Sequence, residues 1–306
     1  MEQQLDYAAV RAAAARTAGA VRPAAVVPAA EGVWYALEYL QHTGSFKARG
    51  AHNFLAAHRE AGRLPAAGVT IASGGNAGLA CAWAARAHGI PATVFLPGNA
   101  PRVKVDRLRG YGADVRLVGD RYDQALAACR EFAAASGALS SHAYDHPLVA
   151  AGAGTLLDEV RAALPGLDTV VVAVGGGGLF AGVATAAREH GVRVVAAEPE
   201  HCRALNAALE AGEPVDVPVA SVAADSLGAP RVSADALAAA RHANAESVLV
   251  PDGAITAARK ALWDEHRIVV EAGAATALAA LRAAPEPLGE RVAVVLCGAN
   301  TDPGDL

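Results

Sequence analysis

The sequence predicts an α/β protein of two doubly wound units, on three observations. Short apolar strands alternate with alanine-rich helical stretches, as in Val69–Ala72, Leu79–His88 and Thr93–Leu96. Glycine-rich turns stand between strand and helix at Ser73–Gly78 and Gly175–Gly178. At 306 residues the chain exceeds what one core usually fills, since single cores stop growing near roughly 250–300 residues.

In order, residues 8–20 read as a helix ended at Gly19, and Val33–Leu40 as a strand running straight into His42-Thr43-Gly44-Ser45-Phe46-Lys47-Ala48-Arg49-Gly50. Ala48–Ala61 is a helix closed by Gly62. The first βαβ pattern begins at Val69 and continues through a helix at Pro101–Tyr111, a strand at Asp114–Val118 and a helix at Tyr122–Ser136. The loop Ser140–Pro147 is expected to cross back to the first lobe. A second unit then carries a helix at Thr155–Leu164, a strand at Thr169–Val174, the four glycines, a helix at Leu179–Glu189 and a strand at Val192–Ala197. Helices at 204–211, 234–243 and 255–265 precede a last strand, Val292–Leu296, which delivers Cys297-Gly298-Ala299-Asn300 to its carboxyl end. Ligands in such sheets bind beyond the carboxyl ends of the strands, where all three informative loops fall.

Composition narrows the function. Hydrophobic residues make up 53% and charged residues 19%, with no apolar run of about 18 residues to cross a membrane. The opening Met1–Asp6 lacks the basic-then-apolar order of a signal peptide, so a cytoplasmic location is expected. A net charge of −5 offers nucleic acid no basic footprint. Cys81, Cys129, Cys202 and Cys297 form no Cys-x-x-Cys pair, and reduced thiols are expected.

Among 26 basic residues, lysine occurs only at Lys47, Lys104 and Lys260. Arginine stays protonated, whereas a desolvated lysine can act as a base or form a Schiff base, which makes Lys47 at its small-residue turn a candidate for amine chemistry rather than an ordinary helix-start cation. Gly175–Gly178, after a buried strand and before a helix, suits a phosphate, because bare amides and the helix dipole both favour an anion. Two cofactors compete for it. Gly176, Gly178 and Ala181 match a dinucleotide fingerprint, with Glu198 twenty residues after Gly178 to hold a ribose hydroxyl. A cofactor with one phosphate and an aldehyde would instead employ Lys47 and the Ser73 loop as well. Ser73-Gly74-Gly75-Asn76 could receive a carboxylate at a helix start, or simply cap that helix. Cys297 is either an inert buried thiol or a neighbour of a ring nitrogen.

From about Thr43 to Thr301 the chain resembles the fold type II pyridoxal-phosphate enzymes (tryptophan synthase beta-like), and within them the L-serine and L-threonine dehydratases, or ammonia-lyases. The resemblance rests on Gly44–Gly50, Ser73–Gly78, Ala151-Gly152-Ala153-Gly154-Thr155, Gly175–Leu179, Ser221–Gly228, Glu271-Ala272-Gly273-Ala274 and Cys297-Gly298, in this order. It implies a large cofactor-binding domain of residues 1–48 and 146–306, and a small substrate-carboxylate domain of residues 49–145. It implies pyridoxal 5′-phosphate bound to Lys47 as a Schiff base, with Phe46 packed on the ring and Gly175, Gly176, Gly177, Gly178 and Leu179 at the phosphate. Asn76 would bond the ring hydroxyl, Cys297 would face the ring nitrogen, and Ser73, Gly74, Gly75, Asn76 and Ala77 would hold the substrate carboxylate.

The implied reaction is α,β-elimination from a hydroxy amino acid, with Lys47 taking the α-proton, to give a 2-oxo acid and ammonia. Serine would give pyruvate and threonine 2-oxobutanoate. Phenylserine or hydroxyaspartate would present the same amine and carboxylate. A thiol rather than an aspartate at the ring nitrogen favours elimination over transamination. Related serine racemases carry a second serine where this chain has Gly74, so racemisation should be minor. Cation-dependent relatives carry an oxygen ligand where this chain has Ala204, which argues against a divalent metal and leaves a monovalent cation such as potassium on Glu198 and backbone carbonyls. Only Asp302–Leu306 follow Thr301, so a carboxyl-terminal regulatory domain and isoleucine feedback are not expected. A homodimer is expected by family resemblance. The competing readings are a β-replacement synthase of the same fold and a nicotinamide-dependent oxidoreductase.

Overall fold

A computed structural model describes residues 5–305; the expectations resting on Met1–Gln4 and Leu306 lie outside them. The elements are α1 (Tyr7–Thr17), β1 (Val26–Ala30), β2 (Val33–Ala36), α2 (Lys47–Glu60), β3 (Val69–Ile71), α3 (Asn76–His88), β4 (Ala92–Leu96), α4 (Arg102–Gly110), β5 (Asp114–Leu117), α5 (Tyr122–Ser136) and β6 (Leu139–Ser140). They continue with α6 (Pro147–Ala163), β7 (Thr169–Ala173), α7 (Gly178–Glu189), β8 (Arg193–Pro199), α8 (Ala204–Ala211), α9 (Ala224–Leu227), α10 (Ala234–His242), β9 (Glu246–Val250), α11 (Asp252–His266), α12 (Ala272–Ala283) and β10 (Val292–Val295).

Two sheets result. One has six strands in the order β1-β2-β10-β7-β8-β9, parallel except for the β1–β2 pair; the other has four parallel strands in the order β5-β4-β3-β6. Continuous apolar runs explain the central strands, because a parallel sheet is covered on both faces. Val170, Val171, Val172, Val194, Val195 and Phe180 anchor one core, and Phe54, Leu55, Val94 and Leu108 anchor a second around the smaller sheet. Antiparallel β1 holds Pro28 at the edge of its sheet, where a missing N–H is tolerated.

Helices α2, α6 and α7 pack closely, and glycines make the approach. A Cβ on Gly152 would lie 2.7 Å from the Arg49 carbonyl oxygen, and one on Gly182 would lie 2.0 Å from that of Ala150. Helix α6 therefore begins eight residues before the expected Thr155, at Pro147: Gly152 and Gly154 serve helix contact instead of breaking the helix.

The strand expected over Val33–Leu40 stops at Ala36, and Glu38–Leu40 forms a 3-10 turn. That turn aims Glu38, 1% exposed, at fully buried Arg49, whose guanidinium also bonds Glu159 and Thr155. Strands β1 and β9 and helix α12 were not assigned from the sequence. The first carries a proline, the second is a short edge strand, and the third reads as a glycine-containing motif.

Candidate active site

Lys47 opens α2, which follows β2 after two 3-10 turns, Glu38–Leu40 and His42–Gly44. Its turn is pinned to the segment after β10: the Phe46 N–H donates to the Cys297 carbonyl at 3.0 Å, the Ala299 N–H donates to the Gly44 carbonyl at 2.9 Å, and Ser45 bridges Gly298. Thr43 holds a left-handed φ of 65°, a strained conformation for a β-branched residue, and the Asn300 Nδ2 donates to its carbonyl at 2.8 Å. A Cβ on Gly44 would lie 2.9 Å from Asn300 Oδ1, so this close approach requires glycine.

The Lys47 amine donates to the Ala143 carbonyl at 2.7 Å and lies 4.6 Å from the Phe46 ring centre. Desolvation pushes its pKa down to about 8, against the opposing pull of Cys297 and Glu271. Cys297 is buried, and that burial, with the Glu271 carboxylate beside it, pushes its thiol well above the ordinary range. It is a neutral S–H at working pH.

The segment that receives Lys47 also covers the glycine loop. His142 Nδ1 accepts the Asp145 N–H at 2.8 Å and shapes the turn. Tyr144 then lies on Gly176 so closely that a Cβ there would stand 2.3 Å from its ring. Gly177, at φ +94°, has no room for a side chain against Ala236. The loop ends at the N-terminus of α7, whose first N–H groups have no acceptor within the helix. Leu179 is buried behind it. A bare backbone cradle at a helix N-terminus and a neutralisable amine, both in contact with the Ala143–Tyr144 segment, are the donor set for a phosphate-bearing aldehyde, and the residues present fit pyridoxal phosphate.

Asn76 is the first residue of α3. Its Nδ2 donates to the Glu271 carboxylate at 2.9 and 3.0 Å, and its Oδ1 accepts from Asn300 Nδ2 at 2.5 Å. Gly74, Gly75 and Asn76 line a recess of about 30 Å³ with Lys104, Arg107, Asp225 and Asn300. Ser73 and buried Ala77 flank it in sequence, and the Ser73 carbonyl packs where a Cβ on Gly78 would be. A larger cavity of about 760 Å³ beside the His42–Gly44 turn is lined by none of these expected site residues.

Glu198 stands apart. It is fully buried at the end of β8, and its two oxygens accept the Leu205 and Asn206 N–H groups at 2.7 and 2.8 Å, capping α8. Burial raises its pKa to about 7. With that carboxylate turned inward, the dinucleotide reading loses its ribose partner. Among the described residues, no group of three or more His, Cys, Asp or Glu side chains is gathered as for a metal ion.

Sequence reasoning gave no role to Glu271, Asn300, Ala143 or Arg49. Asn300 follows Cys297 closely enough to have been a candidate; the Ala143 contact is made by a backbone atom and leaves no residue-type signal.

Comparison with known proteins places the chain in a family. The model of the family described as "Pyridoxal-phosphate dependent enzyme" matches residues 12–298. An L-threonine ammonia-lyase of Geobacter sulfurreducens is 40% identical over 88% of this chain and 67% of its own. A human serine dehydratase-like protein is 38% identical over 88% of this chain and 85% of its own. The structure of maize serine racemase superposes with a TM-score of 0.92 at 28% identity, covering 99% of this chain and 96% of that one.

Proposed function

The chain belongs to the pyridoxal-phosphate dependent enzymes, and we propose that within this family it is a lyase that eliminates water from a hydroxy amino acid, most simply L-serine or L-threonine, to an enamine that one water hydrolyses to a 2-oxo acid and ammonia. The observation that carries the reading is the Lys47 amine, which desolvation brings to a pKa of about 8 and which bonds the Ala143 carbonyl, one residue before the Tyr144 that lies on the glycine loop.

Pyridoxal phosphate, when bound, supplies an electron sink for charge developing at the substrate α-carbon. The residues supply binding and proton handling. Gly175, Gly176, Gly177 and Gly178 offer amides at the α7 N-terminus to the phosphate, with Leu179 closing the loop from the core. Ser73, Gly74, Gly75, Asn76 and Ala77 offer the α3 N-terminus to the substrate carboxylate. Phe46 would pack against the ring and Asn76 would meet its hydroxyl. A neutral Cys297 would stand at the ring nitrogen and leave it without a strong proton donor, which would favour elimination.

Lys47 takes the α-proton; a pKa near neutrality keeps a usable share of the amine unprotonated. The β-hydroxyl then leaves as water, taking up the proton that Lys47 removed from the α-carbon, and hydrolysis of the released enamine by one water gives the 2-oxo acid and ammonia. Gly74 puts no hydroxyl on the loop, which supports elimination over racemisation, and the names of the two relatives support the same reaction class.

We take residues 1–48 and 146–306 as the cofactor-binding unit and 49–145 as the substrate-carboxylate unit of a cytoplasmic homodimer. Support for the division comes from the separate sheets, and for the compartment from four free cysteines. The test is 2-oxo acid and ammonia release from L-serine, L-threonine and L-phenylserine. Replacing Lys47 by alanine should abolish it together with the visible absorption of lysine-bound cofactor; turnover surviving in that variant would refute the role given to Lys47.

A further inference from the structure

We propose that Glu271 is a positioning residue: with the Asn300 carboxamide it locks the Asn76 side chain in one orientation, as a hydrogen-bond donor toward the cofactor ring, and so sets how tightly the cofactor is held. This rests on the pyridoxal-phosphate reading of the site.

Glu271 occupies the N-cap position of α12, yet its side chain makes no capping hydrogen bond, so the carboxylate is free for another task. It is only 8% exposed, and a carboxylate taken out of water is costly unless partners meet it. A side-chain partner comes from the start of α3: Asn76 Nδ2, at 2.9 and 3.0 Å. Lys47, Asp225 and Cys297 are the other titratable groups that sense this charge.

Asn76 is gripped at its other atom too. Asn300 Nδ2 donates to Asn76 Oδ1 at 2.5 Å and to the Thr43 carbonyl at 2.8 Å, while Arg107 reaches Asn300 Oδ1. Turning the Asn76 amide over would set its oxygen against the carboxylate and its N–H against another N–H donor. Two favourable contacts would become two repulsive ones, so the orientation is fixed from both ends. The space is equally specific: a Cβ on Gly298 would lie 2.4 Å from Glu271 Oε1, so the carboxylate fits only against bare backbone.

The experiment is titration of the apoprotein with pyridoxal phosphate, read by visible absorbance, for the wild type, Glu271→Leu and Glu271→Gln. Leucine removes the acceptor, and cofactor affinity is expected to fall about tenfold or more, the equivalent of one charged hydrogen bond. Glutamine keeps an acceptor oxygen and should recover most of that loss, which a space-filling role would not explain. In an Asn76→Ala background, Glu271→Leu should change affinity less than twofold, because the two act as one unit. If the leucine variant does not fold, Glu271→Ala is read in its place.

Affinity unchanged by removing the carboxylate, or the full loss persisting in the Asn76→Ala background, overturns the inference and leaves the cofactor assignment standing. Wild-type apoprotein that takes up no pyridoxal phosphate overturns both.

Discussion

Lys47 Nζ donates to the Ala143 carbonyl at 2.7 Å, and the next residue, Tyr144, lies on Gly176. One short segment therefore spaces the reactive amine from the phosphate cradle. The amine is held by a backbone oxygen rather than a carboxylate, so no counter-ion offsets its desolvation directly and its pKa falls to about 8.

That value gives a pH dependence. Capture of an aldehyde needs the neutral amine, so the rate at which apoprotein takes up pyridoxal phosphate should rise with pH and level off above a midpoint near 8, where an ordinary lysine would still be climbing toward 10.5. Stopped-flow absorbance across pH 6–10 measures it.

Arg49 is fully buried between Glu38 and Glu159. Arg49→Ala leaves Glu38 buried without its cation and should cost roughly 3–5 kcal/mol of stability. Arg49→Lys keeps the charge without the two-pronged geometry, so it should recover only part of the loss. Chemical denaturation gives both numbers.

Gly182→Ala should destabilise by about 1–3 kcal/mol even though alanine is the better helix former, because the new methyl meets the Ala150 carbonyl. Gly253→Ala, in the first turn of α11 with nothing within 4 Å of its Cβ, should be neutral or stabilising by up to about 1 kcal/mol. Thermal melts of the pair separate close packing from helix propensity.

Glu198 is the titrating cap. Its folded pKa, about 7, lies above the ordinary 4.5, so between these values the folded state holds the extra proton and stability falls as pH rises. Glu198→Gln removes that titration and sets an amide N–H against one of the α8 N–H groups. The variant should be less stable than the wild type at pH 5, and the gap should narrow by pH 8, as followed by melting temperature.

The α/β pattern was legible because the parallel strands are short apolar runs and the glycine turns punctuate them; β7, β10, α5 and α8 fall where periodicity put them. The motifs carrying Asn76, Gly175–Gly178 and Cys297 were legible for the same reason, since each follows a strand's carboxyl end, whereas Lys47 stands two 3-10 turns after β2. Misreadings came where tertiary contact overrode local signal. Gly152 looks like a helix breaker and is a helix contact, and Glu38 looks like part of a strand but turns inward to Arg49. The Glu271–Asn76–Asn300 network joins residues 195 and 224 positions apart, and no local pattern reports such a pairing.

Elimination is the central claim, and its most direct test is to incubate pyridoxal-phosphate-loaded protein with L-serine and L-threonine while following 2-oxo acid, ammonia and the D-amino acid together. Oxo acid and ammonia are expected in equal amounts, with little D-enantiomer, and both products are expected to be lost in Lys47→Ala. Accumulation of D-amino acid without oxo acid would make the enzyme a racemase and contradict it.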